Sequence, residues 1–475
     1  MNATESLRYF LPELFLLSGA LISLGLDLFV RNKKLVGFFA VLVLLGTAVF
    51  PQVSDLAGKP LELFYGFFTL DAYTCFFRVL TVLILAATVL ISISYRELSP
   101  SEEGEYYTLL LLTGFGLILM AASTNLLMIF LSVEFVSLMS YILTGFLRKS
   151  HKAKEAAMKY LLYGSAASGI MLFGMSLVFG ASGSLELSII RNLSATAPFY
   201  GVTLIALILF LVGLGFKISM APFHMWAPDV YEAAPTPVAA FLTVAPKALG
   251  FALMMRVLST GFLWINWKWS PLLMGLSILT MTVGNVTAIA QTNIKRLLAY
   301  SSIAQAGYIL MGVCTFNETG VPGVLIYLVA YAFTNLGAFT VVIMVSNSTK
   351  SDELLSYAGL AKRAPFLAAS LTVFMLSLAG IPPLAGFIGK FYVFSSAIQA
   401  GYLTLAVAAA VNSAIAAFYY FKVVRLMYLV PEETPEKIPY PLPLTLALGL
   451  LLIGTFAVGL APSVFIKAVQ TALFV

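Results

Sequence analysis

The chain has 475 residues, 60% of them hydrophobic and 10% charged, against about 25% charged in ordinary soluble domains. A water-soluble fold needs a charged exterior and cannot hide that much apolar surface, so an all-α, polytopic membrane protein is predicted. A porin-like barrel is excluded, because runs such as 109–122 do not alternate polar and apolar residues. The net charge of +6 is a matter of loops rather than of a nucleic-acid partner.

Hydropathy predicts about fourteen spans, each near the ~20 residues that cross a bilayer core. The first three, 9–30, 35–50 and 71–94, form an N-terminal segment, 1–100. Glu13 and Asp27 interrupt or flank the first run, and no A-x-A site follows a basic start. It is expected to remain a membrane helix rather than a cleaved signal. Spans 107–122, 124–146, 156–181, 200–226 and 237–260 make a first unit, 101–262. Spans 271–291, 297–315, 322–346, 365–398 and 403–427 make a second, 263–430, and 442–466 lies in a C-terminal helix segment, 431–475.

Tyr141-Ile142-Leu143-Thr144-Gly145 recurs as Tyr308-Ile309-Leu310-Met311-Gly312, and Tyr160-Leu161 recurs as Tyr327-Leu328 at the same shift of 167. The shift carries the fifth span onto the tenth. Five is odd, so the two copies are expected to face opposite ways, the inverted-repeat plan of secondary transporters. The seventh span is broken at Lys217-Ile218-Ser219-Met220-Ala221-Pro222, and the twelfth at Gly380-Ile381-Pro382-Pro383. Proline blocks the helix ladder, and irregular backbone at membrane depth is tolerated only where protein or cavity water satisfies it.

Sixteen loop lysines and arginines fall on one side and five on the other, which predicts both termini outside. Six basic residues fall within spans: Arg78, Lys159, Lys217, Lys247, Arg256 and Lys390. A central lysine or arginine costs roughly 2.5–3.5 kcal/mol to insert, so each needs a partner, a wet cavity or an escape to the interface. Glu134, mid-way in the fifth span, has no such escape. Burial disfavours the charged form of an ionisable group and an opposite charge restores it. Glu134 with Lys217 is therefore read as a switchable pair, Lys247 as the next proton stop and Lys390 as the counterpart of Lys217 in the second copy. The bland alternatives are a neutral hydrogen-bonded glutamate and snorkelling lysines. Arg78 and Arg256 lie near span ends and are expected to be snorkelling or structural; Lys159 lies four residues after Glu155, an i,i+4 pair. His224 and Asp229 either hold the broken helix or serve proton entry. Ser301, Ser302 and Gln305 either carry water or bond helices together.

Cys75 and Cys314 stand alone, and only two histidines occur, so no iron–sulfur, zinc or haem site is supported. No phosphate-binding glycine motif appears. Redox and nucleotide chemistry are expected to belong to partners.

The segment Phe216-Lys217-Ile218-Ser219-Met220-Ala221-Pro222-Phe223-His224-Met225-Trp226-Ala227-Pro228-Asp229 and its continuation to Val238 resemble the signature of the antiporter-like subunits of respiratory complex I. The likeness runs on through Lys247, Asn293–Ser302 and Ala379–Pro383. Pro12-Glu13-Leu14 and a lysine, rather than a glutamate, at 390 favour one branch of that family. The resemblance implies ten core helices in two inverted repeats, spans 4–8 and 9–13. It also implies a proton pathway through Glu134, Lys217, Lys247 and Lys390, supported by Pro222, His224, Asp229, Pro382 and Pro383. It places FMN, iron–sulfur clusters and quinone in partner subunits, with neighbouring antiporter-like subunits as contacts in an energy-transducing membrane, a bacterial inner membrane being the better fit. Ser301, not an acid, matches Glu134 in the second copy and leaves Lys390 without an equivalent partner. The expected function is a proton-translocating subunit of a redox-driven NADH:quinone oxidoreductase; a subunit of a multisubunit cation/proton antiporter is the alternative. A pure scaffold gains nothing from three deep lysines.

Overall fold

A computed structural model describes residues 1–50, 60–192, 200–431 and 437–472; Lys59, counted above with the outer basic residues, lies outside them. Among the described residues twelve helices are long and apolar enough to cross a membrane, and Lys34–Val49 and Pro365–Ala379 are shorter apolar helices. The seventh expected span ends as a helix at Lys217 and restarts at Trp226, while the twelfth divides into Pro365–Ala379 and Ala385–Gln399. One small antiparallel hairpin joins the helices, with Leu61–Leu63 against Phe68–Leu70. Strands of three residues carry no readable periodicity, so composition and hydropathy gave no sign of it.

Burial sorts the helices into a centre and a rim. The most apolar windows of Thr236–Thr260, Ile294–Thr315 and Gly320–Thr349 are 100%, 94% and 89% buried, against 33% for Leu11–Phe29, His151–Ser182 and Leu403–Leu429. A charged side chain on a central helix thus has no outward route by which to snorkel. The rim helices turn apolar stripes outward, as Leu127, Leu131, Leu138 and Ile142 do on Leu126–Thr144. An exterior of that kind suits hydrocarbon.

Helix starts follow ordinary capping chemistry. Asn125 accepts from Leu127 N, Ser150 from Ala153 N, and Asn293 from Arg296 N. Asn125 and Asn293 each also form an isolated antiparallel bridge with a later glutamate, Glu186 and Glu353 respectively. Two arginines cross-link the bundle. Arg78 donates to Glu13 Oε1 from Nε at 3.1 Å and from Nη2 at 2.6 Å, with both side chains buried, tying Ala72–Ser92 to Leu11–Phe29. Arg256 grips both oxygens of Asp71 at 2.9 Å and donates to Ala121 O at 2.9 Å. Asp71 also caps its helix, accepting from Thr74 N at 2.8 Å. Neither arginine snorkels.

Truncating one partner of a buried ion pair leaves an uncompensated charge and costs about 3–5 kcal/mol. Arg78→Met should therefore lower the thermal unfolding midpoint of the protein clearly, and the double variant Glu13→Gln/Arg78→Met should recover much of the loss. Calorimetry or dye-monitored melting in detergent measures both.

Candidate functional site

The two breaks are best understood from the carbonyls they set free. Prolines 382 and 383 have no N–H to return to Leu378 and Ala379, one helical turn earlier. Gln305 Nε2 donates to Leu378 O at 3.1 Å, and Lys390 Nζ donates to Ala379 O at 2.9 Å. The Lys390 ammonium thus sits on the C-terminal end of the helix Pro365–Ala379, where the helix dipole favours a cation. Gly380 turns the chain at φ 91°, and a Cβ there would lie 2.7 Å from the lysine's Cδ. At Gly386 a Cβ would lie 1.8 Å from Ser377 O, so only glycine lets the restarting helix pass the end of the first.

The first break is handled differently. Ser219 takes a left-handed φ of 58°, and Met220 N bonds to Gly215 O at 2.7 Å instead of to Phe216 O. The indole Nε1 of Trp226 then donates to Phe216 O at 3.2 Å. Trp226 also stacks on Tyr160, ring centroids 4.2 Å apart and 5° from parallel. Ala221 N, beside Pro222, donates to Thr280 Oγ1 at 3.0 Å. Pro222, Pro382 and Pro383 are exposed at the chain's surface.

Lys217 is the last residue of Tyr200–Lys217 and is buried. Its Nζ donates to Ser137 Oγ at 3.0 Å, and Ser137 stands three residues from Glu134 on one helix. Among the described residues no ion pair within 4 Å joins Lys217 to Glu134, but the carboxylate lies within electrostatic reach. Glu134, half-buried, accepts from Ser168 Oγ. Ser137 itself accepts from Lys217 and donates to Val133 O at 2.8 Å, one turn along the helix from Glu134. A Cβ on Gly250 would lie 2.7 Å from Ile218 and 3.6 Å from the Lys217 stem. The Lys247 helix, Thr236–Thr260, thus runs directly against the break, one turn from Lys247 itself.

Lys247 follows Pro246, which leaves Leu242 O free; Tyr231 Oη donates to it at 3.3 Å, and the Tyr231 ring lies 5.7 Å from Lys247 Nζ. That Nζ donates to Ser302 at 2.5 Å (Oγ) and 3.1 Å (O). No carboxylate pairs with it among the described residues. His224, half-buried, lies within electrostatic reach.

Between Lys247 and Lys390 lies a layer of buried hydroxyls and amides. Ser301 and Tyr420 share a hydrogen bond of 2.5 Å, Gln305 Nε2 also reaches Tyr420 Oη at 3.1 Å, and Tyr327 Oη donates to Gln305 Oε1 at 2.5 Å. Tyr419 Oη donates to Asn285 Oδ1 at 3.1 Å, and Asn285 Nδ2 donates to Tyr308 Oη at 3.0 Å. Lys390 Nζ stands 4.5 Å from the centre of the Tyr308 ring and 3.3 Å from Ser413 Oγ. A half-open cavity of about 300 Å³ borders Lys390, walled by Phe387, Phe391, Phe394 and Ser413. Ser301, Ser302 and Gln305 stand out in the sequence as a polar cluster. Tyr308 and Tyr327 stand out only as members of the internal repeat, and Asn285, Tyr419 and Tyr420 do not stand out at all, because single tyrosines and asparagines in apolar runs carry no spacing signal.

Asp229 binds the segment Trp226–Ala233 to two neighbours. Lys159 Nζ lies 2.9 Å from Oδ2 and Arg296 Nη1 2.8 Å from Oδ1, while Arg296 also holds Glu232 at 2.9 Å. Burial works against ionisation of Asp229, but the bonds from Lys159 and Arg296 prevail and hold the carboxyl below its usual range. Lys159 keeps its Glu155 partner as well, at 2.9 Å.

Residues 123–416 match the family described as NADH:quinone oxidoreductase/Mrp antiporter, TM. The chain is 43% identical to NADH-quinone oxidoreductase subunit N of Trichlorobacter lovleyi, over 99% of this chain and 97% of that one. It superposes on a chain of respiratory complex I from Thermus thermophilus with bound aureothin at a TM-score of 0.83, 33% identity and coverage of 97% and 99%. A chain of the Mrp complex from a Dietzia species has the same fold, with a TM-score of 0.85 at 22% identity over 97% of this chain and 96% of that one.

Replacing Trp226 by Phe keeps a ring but removes one of the two donors to the Phe216 carbonyl, which Ser219 N still holds at 3.1 Å, a loss of about 0.5–1.5 kcal/mol for an ordinary hydrogen bond. Faster hydrogen exchange at Ile218–His224, with the Lys390 break unchanged, is the expected result by mass spectrometry.

Proposed function

This chain belongs to the NADH:quinone oxidoreductase/Mrp antiporter transmembrane family, and we propose that it translocates protons as the subunit-N-type membrane component of a redox-driven NADH:quinone oxidoreductase. The observation that carries the reading is a row of three buried lysines, each held by a hydroxyl, with hydroxyls and amides continuing between the second and third. Glu134 biases the charge on Lys217. A proton released there passes to Lys247, whose helix runs against the first break, and then by way of the Ser301–Tyr420–Gln305 layer and water to Lys390. An amide does not relay a proton readily, so water or movement at Gln305 must complete the last step. Pro222, Pro382 and Pro383 open the two breaks, and His224 and Asp229 position the first.

The identity to subunit N over nearly the full length favours this reading over a cation/proton antiporter subunit, the other member class that the family description covers. The redox groups, FMN, iron–sulfur clusters and quinone, belong to partner subunits, and neighbouring antiporter-like subunits lie alongside. Residues 101–262 and 263–430 are read as inverted copies. The two proline breaks and the paired Asn125–Glu186 and Asn293–Glu353 bridges, about one repeat length apart, support that plan. Both termini face the outside of an energy-transducing membrane, a bacterial inner membrane on this reading.

Lys217→Met and Glu134→Gln should each abolish NADH-driven proton translocation in vesicles while the amount of assembled complex on a native gel stays near normal. Full pumping by both variants would refute the assignment. Co-purification with flavin- and iron–sulfur-containing subunits, rather than with small antiporter subunits, separates the two member classes.

A further inference from the structure

A second acid–lysine couple, its lysine buried and its acid half-buried, lies outside the row described above, at the basic-loop rim. Lys295 sits one residue into the helix Ile294–Thr315, and its side chain is 4% exposed. Its Nζ donates to Ala234 O at 2.8 Å, at the end of the segment Trp226–Ala233, and lies 3.7 Å from Asp352 Oδ2. Glu97 and Glu232 are within electrostatic reach of the same ammonium. Asp352 is fixed to the helix start, since its carbonyl accepts from Ile294 N at 2.8 Å. Its Oδ1, like the Tyr357 hydroxyl that faces it, is buried with no partner among the described residues.

We propose that Asp352 and Lys295 form an intake that passes protons from the basic-loop face to Lys247. The inference rests on the proton-carrying reading of Lys247. Lys295 and Ser302 are seven residues apart, two turns along one face and about 10 Å in depth, and Ser302 is the residue that holds Lys247 Nζ. Leu298 and Ala299 lie between them on the helix, and polar groups gather at the Ser302 end. Asn335 Nδ2 donates to Thr243 Oγ1 at 2.6 Å, one turn before Lys247. Asn335 Oδ1 and Tyr331 Oη are buried without partners among the described residues, and Ser302 and Thr243 face that tyrosine. Unpartnered polar atoms this deep cost free energy unless water fills the space between them.

The transfer balances without any co-reactant. The protonated Asp352 carboxyl gives its proton to the Lys295 amine, leaving carboxylate and ammonium. The ammonium then gives a proton through water to the Lys247 amine, and Asp352 is reprotonated from the aqueous side. Burial pushes the Asp352 carboxyl above its usual range, and Lys295 only partly offsets this, so the acid can hold the proton it must deliver. An alternative use for Lys295 is simple anchoring of the Ala234 carbonyl. Arginine would preserve an anchor, being a donor that keeps its charge, but would not release a proton.

Membrane vesicles carrying the whole complex provide the test, with NADH-driven proton uptake followed by a pH-sensitive dye and normalised to assembled complex on a native gel. Asp352→Asn and Lys295→Arg should each cut uptake by about tenfold or more, and Asp352→Glu should restore it. Wild-type uptake in both Asp352→Asn and Lys295→Arg, alongside loss of uptake in Lys247→Met, overturns the intake and leaves the Lys247 reading standing. Full uptake in Lys247→Met as well overturns both.

Discussion

Pro382 and Pro383 leave the carbonyls of Leu378 and Ala379 without helix partners, and away from water each must be given a donor. Gln305 and Lys390 supply them. At the other break Trp226 joins Ser219 N in holding the Phe216 carbonyl, and within the Lys247 helix Tyr231 answers Leu242. The need to satisfy a bare carbonyl therefore brings together the side chains that could move a proton. Lys390 sits where a helix end attracts a cation, and Gln305 stands where it touches both the break and the hydroxyl layer. Movement of the break would alter the layer, because one amide serves both.

The three lysines are alike in burial and unlike in company. Lys217 has a serine and a carboxylate within electrostatic reach, Lys247 has a serine and a nearby histidine, and Lys390 has a carbonyl, a serine and a tyrosine face. None forms a direct ion pair within 4 Å among the described residues. A tight buried ion pair would hold both charges in place and resist transfer. The arginines show that contrast. Arg78 and Arg256 are locked to Glu13 and Asp71, and they cross-link helices rather than carry protons.

Much of this organisation could be read along the chain. The helical membrane class follows from composition, and the two interruptions follow from Pro222, Pro382 and Pro383. Glu134, Lys217, Lys247 and Lys390 stand out because a charge in a long apolar run is costly and conspicuous. Ser301, Ser302 and Gln305 are visible for the related reason that three polar residues cluster where hydrocarbon is expected. The hairpin at Leu61–Leu70, the Trp226 cap and the hydrogen-bonding roles of the tyrosines in the second half were not legible. Their roles depend on what lies across from them, and an isolated aromatic in an apolar span looks like packing.

Local chemistry and chain order alone show which residues are costly to hold in the membrane and where the helices must break. Helix packing was needed to show which donor answers each freed carbonyl, that Lys217 reaches Ser137, and that Lys295 and Asp352 meet at the rim. Those pairings join residues far apart along the chain, and helix packing sets the distances between them.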